Sequence, residues 1–130
     1  MGGTGWWIEL EPEIHFPIGR LAVPDLAGWR IDRVPQLPDD NPIAILPDWC
    51  CEVLSHSTAR DDKKLKLPLY ATAGVQWSWL VDPVLRLVEV YEAVGGFPTL
   101  RMTAVDNHGS SILPFEHEIS LEHWWITVPA

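Results

Sequence analysis

The sequence predicts an α/β domain of the mixed-sheet (α+β) kind, with a central sheet, one main helix packed on it and a C-terminal β-hairpin. Apolar and polar residues alternate over several short stretches, which is typical of half-buried strands. One central stretch carries helix-capping residues at its start and glycine at its end. Twelve prolines in 130 residues argue against an all-helical fold. At this length we expect a single domain over residues 1–130.

Two strands and a long loop are predicted in the first part of the chain. Residues 6–16 alternate with a period of two, and Pro12 marks an edge or a bulge. Residues 21–29 form the second predicted strand and place Asp25 on an otherwise apolar face. A carboxylate on such a face needs a partner or a metal, although capping of a turn after Pro24 would also explain it. Residues 30–47, which contain four prolines, form a surface loop.

A third strand is predicted over residues 49–55, with Glu52 at its centre. The strand is otherwise apolar, so Glu52 must also find a partner if it is buried. Cys50 and Cys51 precede it, and neighbours in a strand point to opposite faces and cannot form an unstrained disulfide. We interpret both as free thiols in a reducing compartment.

The main helix is predicted from about residue 61 to residue 73, with Gly74 as its C-terminal cap. Pro68 lies inside it and predicts a kink or a distorted turn. Asp62 and Lys66 are four residues apart and share one helix face. The simplest interpretation of that pair is an exposed ion pair of little energetic weight.

Strands and a hairpin are predicted for the remaining chain. Residues 76–82 and 85–92 are strand-like, and Gly95 and Gly96 form a turn into a return strand over residues 99–104. The tail is less regular, and Ser120 is a candidate cap for a short helix.

Composition limits the classes of partner. The formal charge of −9 gives the chain no global electrostatic reason to bind nucleic acid. The eight tryptophans fit a protein interface at least as well. No stretch is apolar enough for a membrane helix and no apolar leader opens the chain, so we expect a cytoplasmic protein with no membrane partner.

Four motifs together resemble the Uma2 family (DUF820), which belongs to the PD-(D/E)XK nuclease superfamily. They are VPDLAGWR at residues 23–30, PDWCCEVLSHSTARDDKKLK at 47–66, YATAGV at 70–75 and WLVDP at 79–83. Each alone is weak, but their combination and order are specific. The resemblance extends over residues 6–91, and it implies a restriction-endonuclease-like core.

The resemblance also implies a metal site. Asp25 and Glu52 match the two acids that hold Mg²⁺ or Mn²⁺ in the superfamily, and Glu13 resembles a further acid directed toward the same ion. Leu54 occupies the usual position of the superfamily lysine, so the family pattern assigns that role to Lys66 of the helix. A catalytic set of Asp25, Glu52 and Lys66 follows.

The function expected from this resemblance is a metal-dependent endonuclease acting on nucleic acid, with DNA as the substrate. Asp62 would orient Lys66. Family members usually carry about fifty residues ahead of the strand that contains Glu13, so we expect an N-terminally shortened member, for which a homodimer would cover an open sheet face.

Two alternatives remain open at this stage. The first is a nuclease-like interaction domain without turnover. The second is a β domain that binds sugars or nucleotides through exposed tryptophans, although most of the tryptophans should be core residues.

Overall fold

A computed structural model describes residues 5–54, 63–105, 110–116 and 118–119. The fold is an α+β mixed sheet with one α-helix in the described residues. The elements are β1 Trp6–Leu10, β2 Ile14–Phe16, β3 Arg20–Ala22, β4 Leu26–Arg30, β5 Trp49–Val53, α1 Lys66–Ala73, β6 Trp77–Asp82, β7 Leu87–Val94, β8 Phe97–Val105, β9 Ser110–Ser111 and β10 Glu118–Ile119, with a short 3₁₀ turn at Pro17–Gly19.

Six strands form the central sheet in the order β1-β4-β5-β6-β7-β8. Only β5 and β6 are parallel, and the other neighbouring pairs are antiparallel. A parallel pair requires a crossover connection, and α1 lies in that connection between β5 and β6. The β2-β3 and β9-β10 pairs form two small separate sheets.

The sheet has an apolar cluster on each face. Successive residues of β5 point to opposite faces, so they pack in the two clusters alternately. Cys50 packs in one cluster with Tyr70 of α1, on what we call the helix face. Trp49 and Cys51 pack in the other with Trp79, on what we call the aromatic face. Both cysteines are free and fully buried, as the sequence predicted for neighbours on one strand.

Aromatic side chains pack closely on the aromatic face. The rings of Trp49, Trp79 and Phe115 meet edge to face, with centroids between 5.1 and 5.4 Å apart. Gly28 of β4 lies against this cluster, and a Cβ there would come within 3.0 Å of ring carbons of both Trp6 and Trp49. The close approach requires a residue without a side chain.

Two of the predicted strands are each divided in the structure. The predicted strand over residues 6–16 is broken between β1 and β2, where Glu11 has a positive φ of 48° and precedes Pro12. The predicted strand over residues 21–29 is broken between β3 and β4, so Asp25 lies in the connection and not on a strand face. The alternation of apolar and polar residues did not reveal either break, because it continues through the residues at which the strand is interrupted.

The elements from β5 onward lie closer to the positions that the sequence predicted for them. Strands β5 to β8 and the Gly95–Gly96 turn lie where they were predicted. Gly74 caps α1 with φ of 108°, and its N–H bonds the carbonyls of Tyr70 and Ala71. Pro68 falls in the first turn of α1, where a missing N–H is tolerated, and a turn at Leu65 separates helical residues 63–64 from α1. The predicted caps before residue 63 and the helix after Ser120 lie outside the described residues.

Within the described part of the chain, no helix has the length and apolar character needed to cross a bilayer.

Candidate active site

Asp25 lies at the break between β3 and β4, beside the end of β5. Its carbonyl accepts the N–H of Glu11 at 2.9 Å, and its carboxylate Oδ2 accepts the N–H of Val53 at 2.7 Å. The break in the strand therefore frees Asp25 from sheet pairing and lets its side chain reach the neighbouring strand.

Glu52 projects from the middle of β5 onto the helix face and is fully buried. Its Oε2 accepts the hydroxyl hydrogen of Tyr70 at 2.5 Å. Its Oε1 has no hydrogen-bond donor within the described part of the chain. A buried carboxylate oxygen without a donor is costly, so it marks a position where a cation would be favourable.

Two lysines supply positive charge beside these acids. The Lys63 ammonium donates to Asp25 Oδ2 at 2.5 Å and lies 3.6 Å from Glu52 Oε1. The Lys66 ammonium lies 3.5 Å from the same Glu52 oxygen and donates to the carbonyl of Val23 at 3.3 Å. Lys63 therefore bridges the two carboxylates, and Lys66 lies at the edge of the pair.

The pKa values in the cluster follow from burial and from these contacts. Burial raises the pKa of Glu52, and the hydrogen bond from Tyr70 and the nearby lysine charges offset this only in part. Burial alone would lower the pKa of Lys63, but the hydrogen bond to Asp25 and the two carboxylate charges raise it overall. Burial and the Glu52 charge raise the pKa of Tyr70, so its hydroxyl remains protonated and donates to Glu52.

The donor set at this cluster fits a divalent cation of the Mg²⁺ or Mn²⁺ type. Such ions take oxygen ligands and are held by one or two carboxylates while keeping several waters. Asp25 and Glu52 supply two carboxylates, and Glu52 Oε1 lacks a hydrogen-bond donor in the described residues. No group of three or more His, Cys, Asp or Glu side chains arranged to hold a metal is found in the described residues, so water would complete the coordination.

Glu13, expected as a further acid of the metal site, lies in the connection between β1 and β2, and its role as a metal ligand stays a prediction. Glu13 is exposed and lines a groove of about 660 Å³, which we call the acidic groove. Five carboxylate residues line this groove: Glu9, Glu11, Glu13, Asp39 and Asp40. Glu13 directly precedes β2, whereas the predicted strand ran without a break from residue 6 to residue 16.

Two further acids lie near these segments of the sequence, Asp48 and Asp62. Asp62, expected to orient Lys66, lies outside the described residues. Asp48 accepts the N–H of Arg30 at 2.8 Å and pairs with Arg33 at 2.9 Å, so it holds the loop before β5.

Sequence reasoning assigned no role to Lys63 or to Tyr70. Lys63, Lys66 and Tyr70 follow the i, i+3, i+7 spacing of one helix face, so the signal was present in the sequence. The family pattern directed attention to one lysine, and the spacing alone does not show which carboxylate each residue contacts.

The mixed sheet with its acid and lysine cluster is that of a nuclease-like fold. It is similar to a solved structure from Anabaena variabilis ATCC 29413 described as a "putative nuclease belonging to DUF820". The two chains are 25% identical with a TM-score of 0.61, and the match covers 93% of this chain and 68% of the other.

The family model described as Uma2, "Putative restriction endonuclease", matches residues 3–128. The chain therefore belongs to the Uma2 family, as its motifs indicated. A search of curated proteins gave no match.

Proposed function

We propose that the chain is a metal-dependent endonuclease that hydrolyses phosphodiester bonds of DNA with Mg²⁺ or Mn²⁺. The observation that carries this proposal is the Lys63 bridge between Asp25 and Glu52, with Lys66 beside it. Residues distant in sequence bring two carboxylates and two ammonium groups into one cluster. Family membership supports the same class of reaction.

Asp25 and Glu52 would hold the ion. A bound divalent cation lowers the pKa of its water and neutralises charge on a phosphate. The backbone N–H of Val53 fixes the Asp25 carboxylate, and the Tyr70 hydroxyl fixes that of Glu52. Both acids are thereby oriented before a metal arrives, which reduces the cost of ordering them.

The two lysines have different tasks in this proposal. Lys66, which is partly exposed, orients the attacking water or stabilises the charge that develops on the phosphate. Lys63 is closer to Asp25 and balances the carboxylate charges. If a bound ion took over the charge balance of the two carboxylates, the Lys63 ammonium could donate to a phosphate oxygen instead.

The experiment is cleavage of supercoiled plasmid and of single-stranded DNA with Mg²⁺ or Mn²⁺, with and without a chelator. We expect nicking by the wild type, and a loss of at least about 100-fold in Glu52→Gln and Lys66→Ala because each removes a group used in the transition state. Lys63→Ala should also lose activity.

Lys64→Ala is the matched control. Lys64 is exposed and lies between the two site lysines in sequence, so the variant removes the same charge from the same segment. Equal losses in Lys64→Ala and Lys66→Ala would contradict the assigned site. Absence of metal-dependent cleavage and of metal binding by the wild type would favour the non-catalytic interaction domain.

A further inference from the structure

The two oxygens of the Glu52 carboxylate have different surroundings. Oε2 accepts a hydrogen bond of 2.5 Å from the Tyr70 hydroxyl, and both side chains are fully buried. Oε1 lies 3.5 Å from the Lys66 ammonium and 3.6 Å from that of Lys63, which bonds Asp25. One oxygen is therefore held within the core, while the other faces the second carboxylate.

Tyr70 is itself well fixed. It lies in α1, packs in the helix-face cluster and has its ring centroid 5.6 Å from that of Phe16. Its backbone carbonyl accepts the capping N–H groups of Gly74 and Val75. Because both the backbone and the ring of Tyr70 are packed in place, its hydroxyl cannot follow a large movement of Glu52 without disturbing the core.

The way in which a carboxylate binds an ion depends on the ion. Ca²⁺ takes six to eight oxygens and accepts carboxylates through both oxygens, whereas Mg²⁺ requires a near-ideal octahedron. Binding through both oxygens of Glu52 would place the ion next to the Tyr70 hydroxyl hydrogen that Oε2 already accepts, so the ion and that hydroxyl would compete for the same oxygen. Binding through Oε1 alone leaves that bond intact.

We propose that Tyr70 is a positioning residue that presents Glu52 to the metal through Oε1 alone and thereby favours Mg²⁺ and Mn²⁺ over Ca²⁺. The inference rests on the proposed function, since it assumes that Asp25 and Glu52 hold the ion. It adds a determinant of metal selectivity to the site.

The test is Tyr70→Phe in the full chain, with Mn²⁺, Mg²⁺ and Ca²⁺ binding measured by titration calorimetry. We expect the dissociation constant for Mn²⁺ and Mg²⁺ to rise about 10-fold or more, as for other groups that orient a metal ligand. The dissociation constant for Ca²⁺ should change little or fall. A purely structural role would not alter the ratio of these affinities.

Tyr91→Phe is the matched chemical control, since it removes a tyrosine hydroxyl that donates to Glu89 at 3.2 Å. Leu67→Ala is the control for stability, because Leu67 is a buried α1 residue that packs with Leu54 and Leu80 and not with Tyr70 and Cys50. Both controls should keep the wild-type ratio of Mn²⁺ to Ca²⁺ affinity even if Leu67→Ala melts at a lower temperature.

A crystal structure of the wild type with Mn²⁺ provides a test that does not depend on the folding of Tyr70→Phe. Glu52 binding through one oxygen, with Oε2 still on Tyr70, would support the proposal, and binding through both oxygens would overturn it. Equal changes in all three affinities, or none, in a folded Tyr70→Phe would also overturn it. Wild-type protein that binds no metal would overturn the proposed function itself, which distinguishes the two failures.

Discussion

Lys63 is the residue on which the charge balance of the candidate site depends. It contacts both carboxylates, one of which is fully buried, while its own side chain is about one quarter exposed (24%). Removing one partner from such a cluster leaves the remaining charges poorly compensated. We therefore expect Lys63 to affect stability and, under the proposed function, catalysis as well.

Lys63→Met tests this balance in the metal-free protein. We expect the free energy of unfolding at neutral pH to fall by about 1–2 kcal/mol, between the values for exposed and buried ion pairs. The pKa of Lys63 is raised in the folded state, because the contacts with Asp25 and Glu52 outweigh burial. The stabilisation of the folded protein by Lys63 is therefore complete below about pH 10.4, the pKa of a lysine in the unfolded chain. It is lost as the pH rises through the higher pKa of Lys63 in the folded protein.

Urea unfolding of the wild type and of Lys63→Met, from neutral to alkaline pH, measures the difference in their free energies of unfolding. Lys64→Met, which changes an exposed neighbour, is the control and should resemble the wild type. A difference that is absent at neutral pH, or that grows with rising pH, would contradict the argument.

The candidate site shows what residue-level patterns can and cannot provide. Asp25 and Glu52 could be selected because each is a carboxylate among apolar residues, and the structure brings them together with Lys66. Their partners could not be selected, because the contact of Tyr70 with Glu52 depends on how α1 crosses the sheet. Glu13 was included from the resemblance, and a chain break leads it into the acidic groove.

At the scale of elements, α1 carries Lys66 and Tyr70, follows Lys63 after the turn at Leu65, and is held in place at its C-terminal end. Gly74 adopts a left-handed conformation there, and the next residues lead directly into β6. A Cβ at Gly74 would also lie 3.1 Å from Leu46 Cδ2. The cap therefore fixes the orientation of the helix that completes the site.

Gly74→Ala should lower the free energy of unfolding by about 1–2 kcal/mol, because a left-handed backbone is unfavourable for a residue with a Cβ. Gly74→Asn should cost less, since asparagine tolerates this conformation. Thermal and urea unfolding of both variants measure whether Gly74→Asn is more stable than Gly74→Ala. Equal losses in both would indicate that contact with Leu46 matters more than the backbone conformation.

The elements themselves were predictable to different degrees. Strands β5 to β8 and the end of α1 follow local signals, namely apolar runs, paired glycines and a capping glycine. The breaks at residues 11–13 and 23–25 contain Pro12 and Pro24, but the apolar alternation continues across them and therefore predicts unbroken strands. They are set by the tertiary structure, as the hydrogen bond between Glu11 and Asp25 illustrates.

At the scale of the whole molecule, charge is distributed unevenly around the site. The formal net charge is −9, and the acidic groove contains five carboxylate residues. The groove begins beside the site, because Glu11 is bonded to the backbone of Asp25. If the proposed function is correct, a DNA backbone approaching the lysines would avoid this groove, and the groove would restrict the direction from which the DNA enters.

Asp39→Asn combined with Asp40→Asn should therefore strengthen DNA binding several-fold at low salt. Both residues are exposed and line the acidic groove, so their removal reduces repulsion of phosphates. Fluorescence anisotropy with a labelled duplex and no divalent metal, over a range of salt concentrations, measures the effect, which should shrink at high salt.

The control for this prediction removes two negative charges elsewhere. Asp32→Asn with Glu116→Gln changes exposed residues that do not line the groove. An effect as large as that of the groove variant would assign the repulsion to net charge and not to the groove.

The packing of Trp49 against Trp79 has a spectroscopic consequence. The two indoles lie on neighbouring strands with ring centroids 5.3 Å apart and an interplanar angle of 88°. Chromophores this close couple their electronic transitions, so the pair should produce an exciton couplet in circular dichroism. The couplet originates on the aromatic face, whereas Glu52 projects from β5 onto the helix face. It can therefore report whether a site variant retains its sheet without any label or probe in the site itself.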